Sequence, residues 1–227
     1  MLILGLCNLA SHNNSSSLLF NHQMYFFKTP YLLKAIYPSL IWNIPTKDKV
    51  IYLTFDDGPT PGITEKVLEL LKQHDAKATF FCLGKNVVAH PDIFQAIVSS
   101  GHHVGNHSQN HLNGWKNADE DYFADVKLCS ETIKSSLFRP PYGRIKFSQA
   151  RFLKNQYKII MWEVLSGDFD KFISKENCLK NVLKLTSPGS IVVFHDSLKA
   201  SEKLFYALPI ILKEFTKNGF RFETIPY

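Results

Sequence analysis

Two adjacent carboxylates, Asp56 and Asp57, end the apolar run Val50-Ile51-Tyr52-Leu53-Thr54-Phe55 and are followed at once by Gly58-Pro59. An aspartate is almost never fully buried unless it is paired or holds a metal. Neighbouring side chains of a β-segment point to opposite faces, so two aspartates in a row suggest two different tasks at one mouth. The carboxyl end of a strand is also where α/β barrels and open sheets place their chemistry. A second group is His107-Ser108-Gln109-Asn110-His111, whose imidazoles stand four residues apart. A helical turn brings such a pair to one side, the spacing of paired metal-binding histidines. Alone the pair is ordinary. With a carboxylate from another strand end, two His and one Asp leave an open position on Zn²⁺ or a similar ion, as hydrolysis requires.

Three further polar segments end apolar runs. Arg139-Pro140-Pro141-Tyr142-Gly143 follows Leu137-Phe138. Two prolines and a glycine force an irregular backbone there. The segment reads either as a rigid turn with a surface arginine or as an Arg paired with a carboxylate beside a free N–H aimed at an oxyanion. Ile191-Val192-Val193-Phe194 delivers His195-Asp196, and Ser166-Gly167-Asp168-Phe169 offers another carboxylate. A lone strand-end histidine is usually structural, but five polar strand ends in one barrel are hard to assign to packing.

The elements that must position these residues show in the periodicity. Strands are expected at 50–55, 78–83, 102–106, 137–139, 157–164, 190–195 and 221–225, and helices at 63–74, 86–100, 118–135, 147–155, 175–186 and 200–218. Alternation of this kind implies parallel βαβ units, and a closed or nearly closed barrel of about seven strands is the economical layout. Gly101, Gly189 and Gly219 fall just past helices, where a terminating glycine belongs. Residues 49–227 read as one catalytic domain, 24–48 as an extension covering one end of the barrel, and 1–23 as a disordered or non-native start, with Met24 an equally good first residue.

At 227 residues and 45% hydrophobic content the chain can bury a full core. Its net charge of +6 comes from Lys and Arg spread along the chain, with no stripe or motif for nucleic acid. The segment Met1–Cys7 lacks a basic n-region and is too short for a secretory core, and no run approaches the ~20 apolar residues of a membrane span. Cys82, Cys129 and Cys178 sit among apolar neighbours and read as buried free thiols.

The five polar segments, in this order, resemble the five motifs of the polysaccharide deacetylase family (carbohydrate esterase family four, the NodB-homology domain). The resemblance spans residues 49–227 and is closest in the first three motifs. It implies a distorted (β/α) barrel and a metal-dependent hydrolase, most often with zinc, cobalt or nickel being alternatives. The expected activity is removal of acetyl from N-acetylglucosamine units of a glycan such as peptidoglycan or a chitin-like oligomer. A related C–N hydrolase, an O-acetyl esterase or a silent glycan-binding module are the alternatives.

By the family pattern Asp57, His107 and His111 bind the metal, Asp56 is the general base and Arg139 holds it. The Tyr142 N–H faces the oxyanion, and His195, oriented by Asp168, is the general acid. Pro140, Pro141, Tyr142, Phe169 and Val193 would line the substrate site. Leu165 and Phe169 depart from the fourth motif, which usually begins with Asp and ends with Trp; Val193 replaces a common Leu. Trp115, Trp162 and Tyr142 offer faces for stacking on sugars. The family often acts outside the cytoplasm, whereas unpaired cysteines favour a reducing compartment. Cytoplasmic and cell-envelope locations are both compatible with these features.

Overall fold

The seven residues Val50–Asp56 form β1, buried along its whole length because the sheet is covered on both faces. In the computed structural model, which describes residues 25–227, alternate side chains of β1 enter different cores. Ile51, Leu53 and Phe55 pack toward the surrounding helices. Val50 and Tyr52 join a smaller interior cluster with Phe81, Leu137, Ile160 and Ile191. Asp56 therefore continues the parity of the interior face, and Thr54 lies on that face beneath it.

The remaining elements follow the βα rhythm. They are α1 (Tyr31–Ile36), α2 (Thr64–Gln73), β2 (Ala78–Cys82), α3 (Gly84–Ala89), α4 (Pro91–Ser99), β3 (His103–Asn106), α5 (Asp119–Thr132) and β4 (Leu137–Phe138). A single 3₁₀ turn (Pro141–Gly143) leads to α6 (Phe147–Leu153), β5 (Lys158–Ile159), β6 (Val164–Leu165), α7 (Lys175–Leu185), β7 (Ile191–His195), α8 (Ser201–Lys217) and β8 (Arg221–Phe222). Seven strands run in the order β5-β4-β3-β2-β1-β7-β6, every pair parallel. They curl into a distorted (β/α) half-barrel, as expected from the sequence. β8 pairs with the lower end of β1, and its Phe222 carbonyl accepts from Lys77 N–H just below β2.

Three expected boundaries differ. The helix expected at 86–100 is two helices, because His90 leaves the helical region (φ −136°, ψ 61°) and Pro91 starts α4 at its first position. The strand expected at 157–164 is split into β5 and β6. Between them Ile160–Glu163 forms the link between the two ends of the sheet path, and Met161 N–H donates to Ile41 O. The last strand, expected over 221–225, pairs only through Arg221 and Phe222.

The N-terminal extension is described from residue 25. Its backbone runs beside this seam: Ile41 N–H donates to Ile159 O, Thr29 N–H to Glu163 O, and Leu165 N–H to Phe27 O. Cys82, Cys129 and Cys178 are free and buried, as expected. Among the described residues no helix is long and apolar enough to cross a membrane. The expectations for residues 1–23, Cys7 among them, lie outside the described residues.

Candidate active site

Arg139, the residue after β4, is fully buried in the barrel interior. Its Nη1 donates to Asp56 Oδ1 at 2.7 Å and to Thr54 Oγ1 at 2.7 Å, the two polar interior positions of β1. Its other nitrogens cap carbonyls of the seam, Nε to Ile160 O (3.2 Å) and Nη2 to Met161 O (3.0 Å). The guanidinium also lies over the Phe81 ring, 4.1 Å from its centroid. That stack requires Gly105 on the neighbouring strand, where a Cβ would come within 2.5 Å of the Phe81 ring. A buried cation with this many partners is the arrangement that makes burial tolerable, and it excludes the surface-arginine reading of Arg139.

One residue on, Asp57 leaves the strand with φ +82°. Its Oδ1 lies 3.3 Å from His111 Nε2 and 3.7 Å from His107 Nε2, and one donor atom from each of the three residues lies within 4.8 Å of the others. His107 Nδ1–H donates to Arg139 O at 2.8 Å, which fixes the ring and leaves its Nε2 lone pair toward Asp57. Among the described residues Asp57 Oδ1 is buried yet accepts no hydrogen bond. A buried carboxylate oxygen without a donor but facing two imidazole nitrogens fits a divalent cation.

The protonation preferences agree. Burial lowers His107, and burial together with the charge of His107 lowers His111 to about 4, so both rings are neutral donors near pH 7. Burial opposes ionisation of Asp57, but His195, His107 and His111 hold its carboxyl below the usual range.

Four residues of this region have left-handed backbones without being glycine: Asp57, Ser108 (φ +65°), His111 (φ +63°) and Tyr142 (φ +60°). Each costs on the order of 1–3 kcal/mol and persists only where neighbours hold it. Asn86 on α3 donates to Asp57 O at 2.7 Å. The His107–His111 loop is held by Asp125 of α5, whose carboxylate accepts from Gln109 N–H, Asn110 N–H and Asn110 Nδ2. Within the loop, Ser108 N–H donates to Asn106 Oδ1 and His111 N–H to Ser108 Oγ. The Tyr142 ring rests 4.3 Å from the His111 ring and is half exposed, which sets the 3₁₀ turn beside the triad.

His195 ends β7 directly opposite Asp56 in the strand register. Both oxygens of Asp168 serve it: Oδ2 accepts from His195 N–H at 2.7 Å and Oδ1 from Nδ1–H at 2.8 Å. Burial disfavours the imidazolium, yet the charge and hydrogen bond of Asp168, aided by Asp57 and Asp56, raise His195 to about 9. Phe169 meets the His195 ring edge-on at 5.1 Å. Pro140 and Pro141 are buried, and Val193 is buried two residues below His195 on the same strand. Leu165, where the fourth motif usually has Asp, is buried in β6.

Sequence reasoning missed Asp196, which is fully buried next to the acid candidate. Its Oδ1 accepts from Gly58 N–H at 3.0 Å and its Oδ2 from Thr64 Oγ1 at 2.6 Å. Burial pushes this carboxyl up to about 8 against those two bonds. Asp196 thus clamps the turn that carries Asp57, and a Cβ on Gly58 would collide with its carboxylate. Asp125 was missed too, although a signal existed: it lies on the apolar stripe of α5 with Tyr122, Val126 and Cys129.

The polysaccharide deacetylase family matches residues 43–158 of this chain. A peptidoglycan-N-acetylglucosamine deacetylase of Bacillus cereus is 34% identical over 203 residues, spanning 86% of this chain and 95% of that protein. A crystallised peptidoglycan N-acetylglucosamine deacetylase, in complex with an N-hydroxybenzamide compound, superposes with a TM-score of 0.80 at 32% identity, covering 87% of this chain and 95% of that one. A family-four pseudoenzyme from Bacillus anthracis superposes with a TM-score of 0.72 at 26% identity, covering 83% and 68%. The chain belongs to the polysaccharide deacetylase family.

Proposed function

We propose that this protein hydrolyses the N-acetyl group of N-acetylglucosamine units in a glycan, peptidoglycan before chitin-like oligomers, using a divalent cation held by Asp57, His107 and His111. Zn²⁺ suits two imidazoles and one carboxylate with a position left open, and Co²⁺ or Ni²⁺ suits the same donors less selectively. The observation that carries the reading is the donorless, buried Asp57 Oδ1 between two imidazoles, flanked by a carboxylate on one side and a carboxylate-bound histidine on the other.

The chemical demands of amide hydrolysis match these groups. Lewis acidity from a bound cation would supply polarisation of the acetyl carbonyl and of the attacking water. Asp56 takes the water's proton, while the hydrogen bond from Arg139 Nη1 holds its carboxylate in place. The Tyr142 N–H is assigned to the developing oxyanion, with the left-handed turn presenting it. An amine leaves only when protonated, and His195, raised to about 9, carries that proton at neutral pH.

A second reading is favoured by the likeness to a pseudoenzyme: a glycan-binding module without turnover. Against it stands the retained acid and base pair, which binding alone does not need. Acetate release from peptidoglycan, chitooligosaccharides and acetylxylan, each with added Zn²⁺ or Co²⁺, separates these readings. Turnover of the N-acetylated glycans, peptidoglycan foremost, is expected. Acetylxylan as sole substrate would replace the reading with an esterase, and binding without acetate release would make the domain silent.

A further inference from the structure

The loop Ser166–Asp170 carries Asp168 and Phe169 to His195; from the inside it is held by Ser166 N–H to Val193 O and Lys203 Nζ to Asp168 O, and from the outside by the N-terminal segment. Phe169 has no polar side-chain atom of its own, so its ring is placed by its neighbours, with Lys199 Nζ 5.8 Å from its centroid and an aromatic ring on each of two sides. One side of that ring meets His195 at 5.1 Å; another meets Tyr25 at 5.2 Å. The Tyr25 hydroxyl donates to Asp170 Oδ2 at 2.7 Å, the residue after Phe169. Tyr25 is itself braced edge-on by Phe27 at 5.3 Å. Phe27 lies over Gly167 so closely that a Cβ there would come within 2.8 Å of its ring, at a backbone φ of +81° that glycine alone adopts freely. The backbone beneath is locked, with Leu165 N–H donating to Phe27 O at 2.9 Å. Residues 25–29 thus occupy the outer edge of β6 and close over the loop from outside.

We infer that Tyr25 is a positioning residue for the catalytic acid: with Phe27 it presses the 166–170 loop inward, so that Phe169 and Asp168 hold the His195 ring in its proton-donating orientation. The physical reason is rigidity. A side chain that must deliver a proton needs its angle kept within roughly 10–20°, and here one wall of the ring is a phenylalanine that relies on an outer neighbour. The inference rests on the assignment of His195 as the acid.

The test uses the full chain with Tyr25→Ala, and with Tyr25→Phe, which keeps the ring and loses the bond to Asp170. On an N-acetylated glycan Tyr25→Ala should lower kcat on the order of 10-fold, as a misaligned group does, with KM and Zn²⁺ affinity unchanged; Tyr25→Phe should lose less. The loss should shrink on an activated acetyl ester, whose leaving group departs without a proton. Independently of turnover, the ¹⁵N-imidazole signals of His195 should report a loosened Nδ1–H bond to Asp168 in Tyr25→Ala at an unchanged melting temperature. Wild-type turnover, or equal losses on amide and ester with His195 signals unchanged, overturns the inference. Altered His195 signals in a protein whose parent releases no acetate from any glycan would uphold the coupling and discard the deacetylase reading.

Discussion

Asp56 and Asp57 are neighbours in the chain with opposite surroundings. Asp56 faces the barrel interior and an arginine; Asp57 turns out of the strand toward two imidazoles. Under the proposed roles Asp56→Asn keeps Zn²⁺ bound and loses turnover, whereas Asp57→Asn loses the metal first. Metal content by elemental analysis beside kcat checks this, and an Asp56→Asn protein that comes out metal-free would reverse the two roles. His195 makes a pH prediction. Its folded value is raised to about 9 from the ~6.5 of a free imidazole, so the proton is held more tightly in the folded chain. The linked stability is present in full below pH ~6.5 and is lost as pH rises through about 9. The basic limb of kcat/KM should fall in the same window, below its upper end because a cation on Asp57 offsets part of that carboxylate's pull. Asp168→Asn should move the limb to lower pH, and a limb that stays put would remove Asp168 from the role of orienter. At this scale the sequence was informative: each of the five strand-end motifs lands at one mouth. Asp196 was not legible, because its partners Gly58 and Thr64 are 138 and 132 residues away.

Elements were legible where hydrophobic period ran unbroken and illegible where tertiary contacts cut it. The apolar stripe of α2, with Val67, Leu68 and Leu71 buried, gave its helix directly. Residues 86–100 kept a helical pattern across Pro91, but the restriction that proline places on His90 ended one helix and began another. Residues 157–164 read as one strand because apolar residues fill most of the run. Their split follows from the seam, where the carbonyls of Ile160 and Met161 turn to the Arg139 guanidinium. The β2–β3 pair offers a direct check on this packing. Gly105→Ala would drive a methyl into the Phe81 ring that supports Arg139, at a cost of about 1–3 kcal/mol. Arg139→Ala should cost about 3–5 kcal/mol, because it leaves Asp56 buried without its partner. Urea unfolding measures both, and an Arg139→Ala protein as stable as the parent would show that the ion pair is not what holds the barrel's mouth.

Over the whole molecule, one barrel divides its side chains between an outer apolar layer and an interior whose upper end is polar. The parallel register places Asp56 opposite His195 on adjacent strands, while the irregular turns after β1, β3 and β4 bring Asp57, His107, His111 and Tyr142 above them. Period-two alternation carried to a strand end accounts for Asp56 and His195, and the alternation of strands and helices made the fold class legible; the left-handed turns that seat Asp57, His107, His111 and Tyr142 do not follow from it. The sequence suggested a covering extension at one end of the barrel, but its pairing along the seam and the clamp of Asp196 depend on contacts more than 100 residues apart and were not legible. The central claim is that Asp57, His107 and His111 hold a cation on which deacetylation depends. The direct measurement is acetate release from an N-acetylated glycan after exhaustive chelation, with metal removal confirmed by elemental analysis, followed by addition of Zn²⁺ or Co²⁺. The account predicts loss of activity on chelation, recovery on addition in the parent, and no recovery in His107→Ala or His111→Ala. Full activity in protein shown to be free of metal would contradict it.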